Sequence, residues 1–338
     1  MWLLLFITAF AACGKSSSPA TTTDIIPTNL VVNAVVNADN SGNVAFTASA
    51  TNATTYDYDF GNGVFQTVAS GSVTYKYPSS GTYSVNVIAK SATGKIISKA
   101  ITVTVTVTLG VLWSDEFNGS GAPDASKWGY DIGTGSGGWG NNELQYYTNR
   151  SNNVSVSNGT LKITAIKEAF SGSAYTSTRM LTQNKFSLKY GKLEIRAKLP
   201  AGVGTWPAIW MLGNNISTAG WSTCGEIDIM EHRGSELNKI FGTFHYPGRS
   251  GGNADGNTVT IANAATEFHI YSAEWSASNI KLFVDGQLIH ILNNSSSLPF
   301  NQNFFLLLNV AMGGSFAGPV APSFVSATME IDYVRVYQ

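Results

Sequence analysis

The chain has 338 residues, of which 43% are hydrophobic and 12% aromatic, with 34 glycines, 20 basic and 21 acidic residues and a formal net charge of −1. That length allows about two domains, and the composition suits a β-rich globular protein with many turns. No basic run of five or more residues occurs, which sets a nucleic-acid partner aside. The eight tryptophans and fourteen tyrosines fit sugar stacking, although core packing accounts for most such rings.

The N-terminus, "MWLLLFITAFAACGKSSSPATTT", is an apolar run followed by small and then Ser/Thr-rich residues. The run is too short to span a bilayer and reads as an export signal over 1–13. Its "FAAC" resembles the lipobox of bacterial lipoproteins, with Phe10 in place of Leu and no positive charge ahead of the run. The resemblance implies a lipid anchor on Cys13 and an outer-membrane or cell-surface location; ordinary secretion, or a periplasmic location, is the alternative. Residues 14–24 offer little to bury and read as a flexible tether. Cys13 and Cys224 are the two cysteines, so removal or acylation of Cys13 leaves no internal disulfide. Cys224 has no partners at zinc spacing and reads as a small buried residue.

From 25 to 108, alternating segments such as "VAFTASA", "YSVNVIAK" and "AITVTVTV" are separated by Gly, Asn, Ser and Pro clusters, as in a small antiparallel sandwich. The turn Tyr58–Gly63 and the later Tyr77–Tyr83 stretch resemble a PKD domain, an Ig-like fold, with Asn62 at a position that is usually acidic. A spacer or a glycan-binding module is implied.

From 111 to 338 the strand-like runs include "LKITAIK", "GKLEIRAKL", "GEIDIMEH", "FFLLLNVAM" and "MEIDYVRVY", and long helical periodicity is absent. Such a length of strands with Gly/Asn turns predicts an all-β sandwich or jelly roll. Asp285-Gly286 in "VDGQ" predicts a type I′ hairpin turn.

The segment "GEIDIME" (225–231) carries three acids among Ile, Ile and Met. Strand alternation puts Glu226 and Asp228 on one face and Glu231 on the other. One extra residue in the Ile229-Met230 region, a β-bulge, returns Glu231 to the face of its neighbours. Inward-leaning glutamyl arms on a curved sheet then bring the carboxyls to about 5–5.5 Å, the spacing of a retaining glycosidase. At that spacing mutual repulsion keeps one acid protonated near neutral pH.

"GEIDIME" resembles the bulged Glu-x-Asp-x-x-Glu signature of glycoside hydrolase family 16. Its companions "GWGNNELQYYT" (138–148), "KYGKLEIRAKLPAGVGTWPAIWMLG" (189–213), "GTFHYPG", "FVDGQ" and the closing "MEIDYVRVY" are similar to the bacterial laminarinase branch. The likeness covers nearly all of 111–338 and implies a β-jelly roll that hydrolyses β-1,3-glucan by double displacement without a catalytic cofactor. Carried onto this sequence, Glu226 is the nucleophile, Glu231 the acid/base and Asp228 the residue that assists Glu226. Trp206 and Trp210 resemble cleft aromatics, with Trp221 a further sugar platform. Asn142, Arg179, His245 and Asn309 resemble polar cleft residues, whereas His232, His269 and His290 carry no motif and read as structural. In "GGSFAG", Phe316 and Ala317 replace a Trp-Pro pair common in the family, which leaves one end of the cleft undefined. The resemblance also implies a structural calcium held by Glu116, Gly159 and Asp332; hard oxygen donors suit that ion.

The expected protein is thus an exported, monomeric endo-β-1,3-glucanase acting on a polysaccharide substrate. Rival readings are a family relative acting on mixed-linkage glucan or a marine galactan, and a non-catalytic glycan-binding sandwich. Met230 argues against the mixed-linkage reading, and the intact pair Glu226 and Glu231 argues against pure binding.

Overall fold

The computed structural model describes residues 24–338, so the expected signal, Cys13 and nearly all of the tether lie outside the described residues. The chain divides into two compact units. Among the described residues, one comprises 24–36, 44–75 and 82–103; the other comprises 37–43, 76–81 and everything from 104 onward. Among the described residues nearly all of the regular structure is strand, and the two α-helices there, Ile216–Ala219 and Gly314–Ala317, are single turns. No helix of the described residues is long and apolar enough to cross a membrane.

The smaller unit contains a three-stranded and a four-stranded sheet. Thr28–Val36 pairs antiparallel with Asn43–Thr51, and Thr55–Asp59 pairs antiparallel with both of its neighbours. Its core is aromatic: Phe46, Tyr58 and Phe60 pack with ring centroids 5.6–5.9 Å apart. The buried Tyr58 hydroxyl donates to the carbonyl of Gly71, which removes the penalty of placing an unpaired phenol there.

The larger unit is a jelly roll of two sheets, one of ten strands and one of seven. The seven-stranded sheet runs Asp255–Thr260, Lys239–His245, Glu226–His232, Thr205–Gly213, Phe304–Met312, Arg179–Leu181 and Gly129–Asp131. Ile209, Met211, Ile227, Phe244, Leu306 and Leu308 of this sheet share one buried core with Leu193, Ile195, Tyr271, Leu282, Ile331 and Val334 of the other. Alternation thus assigns one face of each strand to the core and frees the other for chemistry. Phe304–Met312 breaks the pattern, being buried at every position. Its outward Phe305 and Leu307 join Leu181, Leu212 and Cys224 in a second apolar cluster, against which Trp210 packs. The hairpin expected at Asp285-Gly286 forms between Asn279–Val284 and Gln287–Asn293, with φ of 48° and 76° at the two turn residues.

Candidate active site

The acidic strand, Glu226–His232, lies between Thr205–Gly213 and Lys239–His245. On one side Trp210 pairs with Asp228 while Ile209 pairs with Met230, so Ile229 is the extra residue. On the other side Asp228 faces Thr243 and Glu231 faces Phe241, the same one-residue offset. Ile227, Ile229 and Met230 all enter the core between the sheets. Two consecutive inward residues therefore reset the alternation, and Glu231 emerges beside Asp228 on the outer face. Glycines bracket the strand. At Gly225, φ is 79°, and a Cβ on Gly234 would lie 1.9 Å from the carbonyl oxygen of Gly202. Both ends of the strand thus require a residue without a side chain.

Register arranges the outer face in rows. One runs Phe241, Glu231, Ala208, Asn309, Arg179, Asp131; the next begins Thr243, Asp228, Trp210, Leu307. Trp206 and Trp210, four apart on one strand, stand to either side of Ala208. Ala208, between Glu231 and Asn309, has the smallest side chain in its row.

The Trp221 indole N–H donates to Glu226 Oε2 at 3.0 Å, and the Trp206 N–H donates to Glu231 Oε1 at 2.9 Å. His245 Nε2 lies 3.2 Å from Asp228 Oδ2 and 3.7 Å from Glu226 Oε1. The Gly251 N–H donates to His245 Nδ1 at 3.2 Å, which assigns the ring proton to Nε2, facing the carboxylates. Burial raises the proton affinity of all three acids, to about 8, with Asp228 adding repulsion at both glutamates. Glu226, Asp228 and His245 place ligand-type atoms within 4.8 Å of one another. Two carboxylates at that distance repel by about 3.5 kcal/mol at an effective dielectric near 20, more than two pKa units. The cluster therefore retains protons at neutral pH. Those three residues could in principle hold a metal, but a histidine ligand normally donates from its other nitrogen, whereas Gly251 makes Nδ1 an acceptor. The arrangement suits proton transfer.

Across Ala208 the polar groups pair with one another. Asn309 accepts from the Trp210 indole at 2.7 Å and donates to the Tyr147 hydroxyl at 3.1 Å, which in turn donates to Glu143 Oε2 at 3.1 Å. Gln145 also donates to Glu143 Oε2, at 2.7 Å, and burial raises the affinity of Glu143 for a proton. Arg179 lies mostly out of solvent, its side chain 13% exposed. It pairs with Asp131 at 2.9 Å and stacks between Trp139 and Trp210, 4.4 and 4.8 Å from the ring centroids.

Of the residues singled out by sequence, Glu226, Asp228, Glu231, Trp206, Trp210, Trp221, His245, Asn309 and Arg179 lie on or beside this face. Asn142 is different: it is exposed, at φ 57° in the turn Gly138–Asn142, and its neighbour Glu143 is the residue that reaches the polar network. The calcium donors also depart from expectation. Arg335 forks both oxygens of Glu116 at 2.9 and 2.8 Å, and Arg196 binds Asp332 at 2.5 Å. As placed, these two carboxylates are engaged by arginine side chains rather than turned toward a shared metal position. The sequence reading did not single out Glu143, Tyr147 or Trp139, which join this network; "NNELQYY" held the first two in plain view, but no periodicity marks a loop acid as part of such a network.

A profile described as "Glycosyl hydrolases family 16" matches residues 141–335. A second, "Beta-glucan synthesis-associated protein SKN1/KRE6/Sbg1", matches 50–227 and stops short of Asp228 and Glu231. The chain is 43% identical over 244 residues to a beta-glucanase of Rhodothermus marinus, covering 68% of this chain and 85% of that one. It is 39% identical to glucan endo-1,3-beta-glucosidase A1 of Niallia circulans, where the match covers 68% of this chain and 38% of that longer one. The solved laminarinase of Rhodothermus marinus superposes with a TM-score of 0.66 at 42% identity, covering 68% of this chain and 98% of that one.

Proposed function

The chain belongs to glycosyl hydrolase family 16, and we propose that it cleaves internal bonds of β-1,3-glucan with retention of configuration, using Glu226 as nucleophile and Glu231 as acid/base. Endo-β-1,3-glucanase is the activity of this jelly roll. The bulge at Ile229 carries the assignment of roles, because it gathers three acids on one face where strict alternation allows two.

In the first step Glu226 attacks the anomeric carbon, the glycosidic C–O bond breaks, and Glu231 passes its proton to the departing oxygen. Trp206 occupies Oε1 of Glu231; among the described residues no hydrogen bond is made to Oε2, which is free to carry that proton. In the second step Glu231 takes a proton from water, the water oxygen bonds to the anomeric carbon, and Glu226 leaves. Asp228, buried between them, raises the proton affinity of both glutamates and, with His245, orients Glu226. Two carboxyl groups suffice for this chemistry, so no step uses a cofactor.

Proton NMR in the first minutes of hydrolysis tests the assignment. The β-anomer is expected first; initial α-anomer would mean an inverting enzyme with carboxyls about 6.5–9.5 Å apart. Product sizing on laminarin, lichenan, agarose and carrageenan tests the substrate, with laminarin expected to be degraded fastest. We further propose export with a lipid anchor on Cys13, a monomeric state and a PKD-like spacer in the smaller unit. Fatty-acid labelling that persists in Cys13→Ala would remove the anchor from the proposal.

A further inference from the structure

Phe316, at the position where the sequence departs from its family, lies in the helical turn that follows Phe304–Met312. Its ring is 4.9 Å from Trp206 at an interplanar angle of 36°, and 5.1 Å from Phe241, edge to face at 74°. Arg233 follows Glu231 by two residues and projects from the same face. Its guanidinium carbon lies 4.1 Å from the Phe316 centroid and 4.9 Å from that of Phe241. Glu236 holds Arg233 Nη1 at 3.2 Å and is itself held by Lys239 at 3.1 Å. A continuous series of contacts therefore runs from Glu236 through Arg233, Phe316 and Trp206 to Glu231 Oε1.

An outward-facing tryptophan on a strand keeps side-chain freedom unless something packs against its ring. Here the Trp206 N–H is bonded to the acid, so any motion of the indole is passed to the carboxyl group. Phe316 supplies the packing, and the planar cation of Arg233, stacked over two rings, fixes Phe316 in turn.

We propose that Arg233 and Phe316 are positioning residues for the acid step: they fix Trp206 so that its N–H holds one oxygen of Glu231 and leaves the other aligned with the glycosidic oxygen. This rests on Glu231 being the acid/base. Neither residue touches the reacting atoms in this role. A displacement of about 1 Å in a catalytic group costs up to about a hundredfold in rate, so modest loosening has a measurable effect.

The test exploits the fact that a good leaving group departs without a proton. The rate constant kcat/KM, which reports the first step, is measured on a laminari-oligosaccharide and on aryl β-laminaribiosides graded from dinitrophenyl to phenyl. Phe316→Ala and Arg233→Met should lose about tenfold on the oligosaccharide and the phenyl glycoside, a fraction of the full acid contribution, and less than about twofold on the dinitrophenyl glycoside. Phe316→Trp should restore the loss. Arg233→Lys should resemble Arg233→Met, because the flat guanidinium is the part that clamps. If Phe316→Ala does not fold, Phe316→Leu takes its place. Equal losses for every leaving group, or no loss at all, would overturn the inference. Glu231→Gln measured on the same series separates the two claims. If its loss is also independent of the leaving group, the assignment of Glu231 fails. If its loss depends on the leaving group and that of Phe316→Ala does not, only the positioning role fails.

Discussion

The outer face of the seven-stranded sheet has two halves divided by Ala208, and they treat polar groups in opposite ways. On the Arg179 side, Asn309 uses both amide atoms, Tyr147 both donates and accepts, and Arg179 is stacked on two indoles and paired with Asp131. On the acidic side, buried Asp228 and Glu231 and partly exposed Glu226 lie at close range, with one indole bond to each glutamate and a histidine facing the middle. A satisfied network is rigid and chemically quiet, whereas under-satisfied acids hold protons they can give away. The same sheet thus supplies a holding half and, on the roles proposed for Glu226 and Glu231, a reacting half.

Removing the acids should break this contrast most severely. Glu226→Gln and Glu231→Gln are each expected to lose about a thousandfold or more in kcat on laminarin, because nucleophilic attack and proton donation are both required. Azide should partly restore Glu231→Ala on an activated substrate by attacking the glycosyl-enzyme. Wild-type turnover in either Gln variant would refute the division of roles.

The holding half should respond in stability more than in chemistry. Tyr147→Phe leaves half-buried Glu143 and buried Asn309 each short of a partner, at a cost of about 1–3 kcal/mol in urea unfolding. Arg179→Met should raise KM more than it lowers kcat if this half grips substrate; the reverse split would move Arg179 into the reacting half.

A pH series sharpens the contrast further. The folded-state pKa of Glu231 is raised to about 8, against about 4.3 for an unperturbed glutamate. Its contribution to stability is therefore full below pH 4 and is lost as pH rises through 8. Glu231→Gln, which titrates at neither pH, should lose less stability between pH 5 and pH 9 than the wild type does. A parallel decline in both would show that burial does not raise this acid. The smallest effect is expected from the N-terminal region: removing residues 25–108, which takes the smaller unit together with segments 37–43 and 76–81, should change turnover on short laminari-oligosaccharides by less than about twofold, reflecting the separate core of the smaller unit.

The reacting half was readable in the sequence because its residues are local. Glu226, Asp228 and Glu231 sit within six positions, and the odd offset of Glu231 itself announced the bulge. Trp206 and Trp210 share a face through the period of the strand. The holding half was only partly readable, since it is assembled from a loop acid, a strand tyrosine and an asparagine 162 residues from that tyrosine. Asn142 was named from its motif; Glu143 beside it carries no motif of its own, and the contacts that tie it to Gln145 and Tyr147 are a tertiary property. For Glu116 and Asp332, the pairing with Arg335 and Arg196 comes from cross-strand contacts, which the sequence does not print.

The bulge at Ile229 is a matter of count rather than of chemistry. Ile229 and Met230 both end in the core, so exchanging either for another apolar residue alters packing and leaves the number of residues unchanged. Single-base substitutions therefore cannot straighten this strand; only an in-frame loss of one codon can. Such a loss would yield Glu226-Ile-Asp-Ile-Glu, whose plain alternation still presents three acids on one side. The catalytic alignment is thus insulated from ordinary point mutation, and a shortened lineage would begin with its acids already gathered.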